Sequence, residues 1–374
     1  MKIEDFGVEI WMNAYENHCR FNIAETCVDS ITFAELMQMA GKSQAILGEL
    51  NDLKLTYGAI EGSARLKAAI AALYAGRHAD EVLVTHGAAG ANALLYATLV
   101  EPGDEVIAIV PTYQQHTSIP ESLGAVVRPL PLQAETGYQP DLAALEDLIT
   151  PRTRLISLTN PNNPMGVVIQ DEVLAGIVGI AARHDLWVVG DEVYRGVNQA
   201  DNTLSPSVAE LYPKGIAVGS MSKAFALAGL RLGWIVAPPA LLHRVMIHRD
   251  YNTISVGMID DLIASIALEN RDALLARNRQ IVRTNLDILA RWVADEPAIS
   301  WFRPNGATVT LLRYDLDMPS RDFCKQLLDE TGVLLVPGAV FGLEGCVRVG
   351  FGNGTETLKA ALPEISRFLR KRGK

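Results

Sequence analysis

The clearest feature of the chain is an alternation of short apolar segments with segments of helical periodicity, which runs from about Lys42 to Pro238. The apolar segments are rich in β-branched residues and predict strands at Glu81–Thr85, Glu105–Val110, Val126–Leu132, Leu155–Thr159, Trp187–Gly190, Gly215–Ser220 and Leu232–Ala237. Several are apolar throughout, which is typical of strands buried on both faces of a mostly parallel sheet. Alternating strands and helices predict an α/β fold, in which such a sheet is flanked by helices and ligands bind at the carboxyl ends of the strands.

The pattern changes near Val256, where a long helical stretch rich in Leu, Ile, Ala and Arg begins. This stretch leads into a shorter section of strands and helices that ends at Leu369. A chain of 374 residues is long enough for two domains. We therefore predict a large α/β domain over residues 41–267 and a smaller α+β domain formed by residues 1–40 together with residues 268–374.

Charge and hydropathy argue against a nucleic-acid or membrane protein. The chain has 33 basic and 43 acidic residues, a net charge of −10, and its one basic block is Arg367–Lys374. A nucleic-acid-binding protein normally carries a basic stripe. The longest apolar run, Ala88–Val100, is too short to span a bilayer, and acidic residues interrupt the N-terminal stretch where a signal peptide needs a continuous apolar segment. We expect no nucleic-acid partner and no membrane association.

The cysteines and histidines form no metal-binding pattern. The four cysteines include no CxxC pair and no zinc-ligand spacing. The seven histidines form no HExxH motif, and no GxSxG motif marks a serine hydrolase. Free thiols in a chain of this size are typical of a reducing compartment, so we expect a cytoplasmic protein without a metal.

One lysine has unusual neighbours in the sequence. Lys223 ends the run SMSK directly after a predicted buried strand, and Arg231 follows eight residues later in the run GLRLG. Burial disfavours an ammonium ion, so desolvation is expected to lower the lysine pKa and to favour the neutral amine that attacks an aldehyde. The hydroxyls of Ser220 and Ser222 and the planar guanidinium of Arg231 suit a phosphate. By itself the segment fits a surface turn with an ordinary lysine equally well.

This segment resembles the cofactor-lysine region of the class I/II aminotransferases, which are fold type I enzymes that use pyridoxal 5′-phosphate (PLP). Further motifs follow in the family's order from about Tyr57 to Arg348, so the resemblance covers most of the chain. It implies that PLP is held as a Schiff base on Lys223. The phosphate ligands implied in this segment are Ser220, Ser222 and Arg231.

Two further segments resemble the family's contacts to the PLP ring. The run NPNNPMG is similar to the family's NPxNPTG turn, which implies that Asn163 donates to the phenolic oxygen; Met165 replaces the threonine. In the run VVGDEVY, the resemblance implies that Asp191 pairs with the ring nitrogen and that Tyr194 joins Asn163. A carboxylate opposite a pyridinium keeps the ring protonated, and the ring can then absorb the electrons released at Cα. The alternative for Asp191 is a helix N-cap.

Small and aromatic residues complete the implied cofactor site. Ala88 and Ala89 open a predicted helix after a strand, where backbone N–H groups can approach a phosphate. The resemblance makes these two the phosphate-facing amides and implies that Tyr113, in the run PTY, stacks on the ring. Tyr57, in the run YGAIEG, resembles a tyrosine that reaches the phosphate of the neighbouring subunit. The resemblance therefore implies a homodimer with shared active sites.

Arg348 and Glu25 are candidate substrate contacts. Arg348, in the run VRV, resembles the family's arginine that binds the substrate α-carboxylate, with Asn163 beside the substrate; the alternative is a surface strand residue. The run FNIAETCVD differs from the glycine-rich segment commoner in the family and resembles relatives that act on arginine, including capreomycidine-type synthases and arginine oxidases. There Glu25 is expected to contact a cationic side chain. The alternative is an acid near the start of a helix, because the run DSITF resembles a capping region.

The resemblance implies an aminotransferase that moves the α-amino group of an amino acid to a 2-oxo acid, with Lys223 as general base. The implied catalytic residues are Lys223, Asp191 and Tyr194. The same scaffold supports PLP-dependent lyases, cyclases and oxidases, some acting on arginine-like amino acids. A non-catalytic PLP-binding regulator is another alternative, although such regulators carry an additional N-terminal DNA-binding domain. A Rossmann dehydrogenase is disfavoured because no GxGxxG motif follows the first predicted strand.

Overall fold

The structure, a computed structural model, describes residues 2–372. Its strands are β1 Phe21–Asn22, β2 Val82–Thr85, β3 Glu105–Val110, β4 Val126–Pro131, β5 Thr153–Thr159, β6 Trp187–Asp191, β7 Gly215–Ser220, β8 Gly233–Val236, β9 Ile299–Trp301, β10 Val309–Tyr314, β11 Val333–Leu334, β12 Val336–Pro337 and β13 Cys346–Gly350. Its helices are α1 Gly7–Tyr15, α2 Phe33–Met39, α3 Ala45–Asn51, α4 Ala64–Ala71, α5 Gly87–Leu99, α6 Gln115–Ser122, α7 Leu142–Asp147, α8 Asp171–Arg183, α9 Val208–Leu211, α10 Pro239–Asp250, α11 Met258–Glu269, α12 Arg271–Asp295, α13 Ser320–Thr331 and α14 Thr355–Arg370. No helix within the described residues is long and apolar enough to cross a bilayer.

A seven-stranded sheet forms the centre of the fold, in the order β2-β8-β7-β6-β5-β3-β4. The strands from β7 to β4 pair in parallel, whereas β8 pairs antiparallel with both of its neighbours. All seven predicted strands are present, with ends that differ by no more than two residues. The prediction of an α/β fold with a mostly parallel sheet is confirmed.

Helices cover both faces of this sheet because successive strand residues point to opposite sides. Leu155 packs in one buried cluster with Leu95 of α5, while its neighbour Ile156 packs in another with Leu174 and Ile177 of α8. Residues 155–159 of β5 are therefore buried on both faces of the sheet, which explains why this part of the strand contains no charged residue.

The C-terminal part of the chain forms a second, antiparallel sheet in the order β12-β13-β10-β9, with α12, α13 and α14 packed nearby. Residues 21–22 do not join the large sheet; β1 instead pairs in parallel with β11, so that Phe21 lies opposite Val333. The N-terminal segment thus contacts the C-terminal part of the chain. The exact domain boundaries, at residues 40 and 267, stay predictions.

A buried carboxylate lies at the start of β3. Glu105 is fully buried, and its oxygens accept hydrogen bonds from Arg128 Nε (2.6 Å), Arg152 Nη2 (2.7 Å) and Thr150 Oγ1 (2.7 Å). The bond from Arg128 is the largest influence and, with those from Thr150 and Arg152, it lowers the pKa of Glu105 to about 2 although burial opposes the shift. The ionised carboxylate therefore ties β3 to β4 and to the start of β5.

We expect Glu105→Gln to lower the free energy of unfolding by about 1–3 kcal/mol at neutral pH, because hydrogen bonds to a charge become bonds to a neutral amide. The folded pKa lies below the unfolded one, so this stabilisation is present above about pH 4.5 and is lost as the pH falls toward 2. Urea unfolding of both proteins at neutral and acidic pH measures the difference, which should shrink on acidification. A difference that does not change with pH would contradict the assignment; the exposed Glu101→Gln is the matched control.

Candidate active site

The predicted site residues meet in one cleft at the carboxyl ends of the parallel strands. Three neighbouring strands, β5, β6 and β7, end at Thr159, Asp191 and Ser220, so the residues that follow them converge. The cleft has a free volume of about 250 Å³. Every predicted site residue except Tyr57 lines it, namely Glu25, Ala88, Ala89, Tyr113, Asn163, Asp191, Tyr194, Ser220, Ser222, Lys223, Arg231 and Arg348.

One end of the cleft is built from hydrogen-bond donors. Ala88 and Ala89 lie in the first turn of α5, where backbone N–H groups have no partner within the helix and attract anions. The hydroxyls of the buried Ser220 and Ser222 and the exposed guanidinium of Arg231 line the same cleft. This set of neutral and cationic donors suits a phosphate.

A buried carboxylate lies deeper in the cleft and is held by residues that the sequence did not indicate. Asp191 Oδ2 accepts hydrogen bonds from Asn92 Nδ2 (3.2 Å) and His116 Nε2 (3.3 Å). His116 Nδ1 lies 2.7 Å from Tyr96 Oη and 3.0 Å from Ser157 Oγ. These contacts are compatible with one another when Nε2 carries the proton of the neutral imidazole and Nδ1 accepts a hydrogen bond from a hydroxyl group. His116 therefore orients Asp191.

The pKa of Lys223 is raised, which is opposite to the shift that the sequence suggested. Burial does lower it, as expected, but ionised Cys27, Tyr194 and Glu25 would raise it by more. Burial raises the pKa of the Cys27 thiol to about 11, so near neutral pH Glu25 is the charged neighbour that stabilises the ammonium. The expectation failed because Glu25 and Cys27 come from a distant part of the chain. Lys223 Nζ itself lies 2.6 Å from Thr26 Oγ1.

Arg348 is a buried cation with one unpaired nitrogen. It lies in the middle of β13 and is 2 % exposed, so the alternative of a surface strand residue is wrong. Its Nη1 donates to Asn163 Oδ1 (3.1 Å) and its Nη2 to Ala24 O (3.2 Å), while Nε has no hydrogen-bond partner within the described residues. A buried, unpaired guanidinium nitrogen favours an anionic ligand. Because Arg348 Nη1 donates to the side-chain oxygen of Asn163, the amide nitrogen of Asn163 can donate to another group.

Glu25 lies in the cleft rather than at a helix start. Its Oε1 accepts from the backbone nitrogens of Thr26 (2.7 Å) and Cys27 (3.0 Å). Burial would raise the pKa of Glu25, but the charge of Lys223 and these two bonds lower it overall. The capping region was correctly placed before α2, but its capping box is formed by Thr32 and Glu35. The alternative that Glu25 is a helix-start acid is therefore wrong.

Helix α1 adds acidic residues that the sequence did not indicate. Glu9 of α1 and Glu16, directly after its last residue, both line the cleft, and with Glu25 they give it three carboxylates in addition to Asp191. Glu9 Oε1 accepts a hydrogen bond from Tyr113 Oη (2.8 Å), and the Tyr113 ring lies 4.8 Å from that of Phe6. Spacings of three and seven residues put Glu9, Met12 and Glu16 on one face of α1, which could have suggested a shared environment.

Tyr57 lies apart from the other predicted site residues. Tyr57 is 70 % exposed and lies outside the cleft, beside Met258 at the start of α11. Its predicted contact requires a second copy of the chain, so that role stays a prediction.

Met165, which replaces the family's threonine, packs in a small buried cluster with Val167, Leu311 and Cys346. The replacement thus fills an apolar space between the turn after β5 and β10.

The arrangement defines a class of protein. A donor-lined end, a buried carboxylate and a lysine surround one cleft at the carboxyl ends of parallel strands. These residues fit the phosphate, the ring nitrogen and the aldehyde of PLP, and the unpaired Arg348 Nε fits an anionic substrate group. PLP bound here supplies an electron sink for the pair released at the substrate Cα. The fold and the site are those of a PLP-dependent enzyme of fold type I.

Comparison with known proteins agrees and identifies the family. Residues 27–365 match the family described as "Aminotransferase class I and II". Capreomycidine synthase from Streptomyces vinaceus is 32% identical over 97% of this chain and 93% of its own length, and arginine–pyruvate transaminase from Pseudomonas aeruginosa is 31% identical over 86% and 84%. A PLP-dependent aminotransferase from Streptococcus suis superposes with a TM-score of 0.96 at 42% identity, covering 100% of both chains. The chain belongs to the class I and II aminotransferases.

Gly233 controls the approach of β8 to the first turn of α5. A Cβ there would lie 2.4 Å from Gly87 C and 2.6 Å from Ala88 N, so Gly233→Ala must shift the backbone that carries the amides predicted to face the phosphate. We expect this variant to bind PLP about tenfold or more weakly, as for the loss of a hydrogen bond to a charged group. Gly229→Ala is the matched control, because its Cβ would meet no atom within 4 Å. Equilibrium PLP titration measures both, and equal affinities would contradict the expectation.

Proposed function

We propose that this enzyme transfers the α-amino group of an amino acid with a positively charged side chain to a 2-oxo acid. The observation that carries the proposal is that Lys223, Asp191 and Arg348, from three distant segments, line one cleft together with three carboxylates. Arg348 binds the substrate α-carboxylate, and the carboxylates favour a cation at the other end of the substrate. Lys223 Nζ moves the proton at the substrate Cα.

The remaining residues take the roles that the family resemblance implies. The phosphate is bound by Ala88, Ala89, Ser220, Ser222 and Arg231. Asp191 pairs with the ring nitrogen, Asn163 and Tyr194 contact the phenolic oxygen, and Tyr113 packs on the ring. The free amide nitrogen of Asn163 and the fixed orientation of Asp191 support these assignments.

The enzyme acts as a homodimer in this proposal, with Tyr57 contacting the phosphate bound by the partner subunit. Support comes from the chain segment that contains Tyr57, in which three more large hydrophobic side chains are exposed. They are Leu47, Leu55 and Ile60. Several exposed large apolar side chains on one short segment favour burial against a second protein surface.

A comparison of two substrates tests the cationic preference. Arginine and norleucine have unbranched side chains and differ in the guanidinium, so absorption titration of the PLP-loaded enzyme with each isolates the charge. We expect half-saturation by arginine at about 10- to 100-fold lower concentration, as for a hydrogen bond between charged groups. Glu16→Gln should reduce this preference and leave norleucine unchanged. Equal half-saturation by the two amino acids would overturn the cationic preference.

A second candidate is a PLP-dependent lyase, cyclase or oxidase acting on an arginine-like amino acid. It is favoured by the similarity to capreomycidine synthase, a relative whose name is that of a synthase rather than a transaminase. The products distinguish the two candidates. Transamination forms a keto acid only in proportion to the 2-oxo acid acceptor that is consumed, whereas the alternatives convert the amino acid without a 2-oxo acid, and an oxidase consumes molecular oxygen instead.

A further inference from the structure

A hydroxyl group from the N-terminal segment lies next to the amine of Lys223. Thr26 Oγ1 is 2.6 Å from Lys223 Nζ, although the two residues are 197 positions apart in the chain. Thr26 is 8 % exposed and lines the same cleft. No motif in the sequence pointed to Thr26.

The position of this hydroxyl is fixed by the backbone around it. Thr26 O accepts a hydrogen bond from Thr308 Oγ1 (2.5 Å), and Thr26 N donates to Glu25 Oε1 (2.7 Å). A Cβ on Gly350 would lie 1.8 Å from the carbonyl oxygen of Glu25, so this glycine of β13 admits the segment. The hydroxyl is therefore held rigidly beside Nζ.

The amine of Lys223 needs such a partner. A lysine side chain is a flexible four-carbon stem, whereas a fixed hydroxyl oxygen has two lone pairs that can accept from the amine. The other contact of Nζ within the described residues is Cys27 Sγ at 3.5 Å, and a thiol is a weak acceptor. Thr26 thus provides the shortest and strongest contact that orients Nζ.

We propose that Thr26 is a positioning residue whose hydroxyl holds Lys223 Nζ where this nitrogen takes the proton from the substrate Cα. The inference rests on the proposed function. In this step the Cα–H bond breaks, an N–H bond forms on Nζ, and the electron pair of the broken bond passes to the bound cofactor. Proton transfer depends on geometry, whereas substrate affinity comes from Arg348 and the carboxylates. Loss of the hydroxyl therefore lowers kcat and leaves KM nearly unchanged.

Thr26→Val removes the hydroxyl and keeps the branched shape, and Thr26→Ser keeps the hydroxyl. We expect Thr26→Val to lower kcat by about 10- to 100-fold, the effect of misplacing a reacting group by about 1 Å. The kinetic isotope effect with substrate deuterated at Cα should increase, and Thr26→Ser should recover most of the rate. Thr331→Val is the matched control, since Thr331 is also 8 % exposed and its hydroxyl bonds Leu327 O in α13, outside the cleft.

A second readout needs no turnover. The visible absorption band of PLP joined to Lys223 changes with pH, and Thr26→Val should shift the midpoint of that titration while Thr331→Val does not. A Thr26→Val enzyme with wild-type kcat, isotope effect and titration midpoint would overturn the inference. So would a Thr26→Ser enzyme as impaired as Thr26→Val, because the hydroxyl would then not be the cause. A Lys223→Ala enzyme that kept its activity would contradict the proposed function itself, independently of the role of Thr26.

Discussion

Replacing Lys223 with alanine should lower kcat by about 10⁴-fold, the upper end of what a general acid–base side chain contributes. In the proposed function this side chain both carries the cofactor and moves the proton at Cα, and no other lysine among residues 2–372 lines the cleft. Lys223→Arg should be equally inactive, because a guanidinium neither forms the imine nor gives up its proton near neutral pH. Steady-state rates measured with saturating PLP give both values.

The control for these variants is Lys359→Ala, which removes an exposed lysine of α14 paired with Glu356 on the surface. It should keep wild-type activity. A Lys223→Ala enzyme that retained more than about a hundredth of the wild-type rate, beyond what loss of a general base allows, would contradict the role of this lysine.

Asp191→Asn should lower kcat by about 10²- to 10⁴-fold, which corresponds to the 3–5 kcal/mol that loss of one partner removes from a buried ion pair. The amide has the same shape but no charge to keep the ring nitrogen protonated. His116→Phe should have a smaller effect, because His116 acts only by orienting the carboxylate. Rates of the half-reaction with amino acid alone measure both changes.

Asp185→Asn is the matched control for this substitution. The Asp185 side chain is 85 % exposed and its φ of 57° is one that asparagine also tolerates. Wild-type rates are expected for it. Near-wild-type rates for Asp191→Asn would mean that the carboxylate does not act on the cofactor.

Features that depend on neighbours in the sequence could be predicted. The strands were recognisable as apolar runs, and Asp191 and Lys223 could be placed in one site because parallel strands end at the same edge of the sheet. The motif resemblance then supplied the other predicted residues of the site.

Features that depend on distant segments could not be predicted. His116 and Asn92 reach Asp191 across 75 and 99 residues, and Thr26 reaches Lys223 across 197. The predicted direction of the Lys223 pKa shift was wrong for the same reason, because burial can be inferred locally whereas Cys27 and Glu25, two of the groups that raise this pKa, are brought in by the fold. Such contacts leave no periodic signal in a single sequence.

The most direct test is to locate the covalent bond to the cofactor. The PLP-saturated enzyme is reduced with borohydride, digested and mapped by mass spectrometry. We expect one pyridoxyl group per chain, on the peptide that contains Lys223. A folded, PLP-saturated protein in which Lys223 stays unmodified, or in which another lysine carries the label, would contradict it.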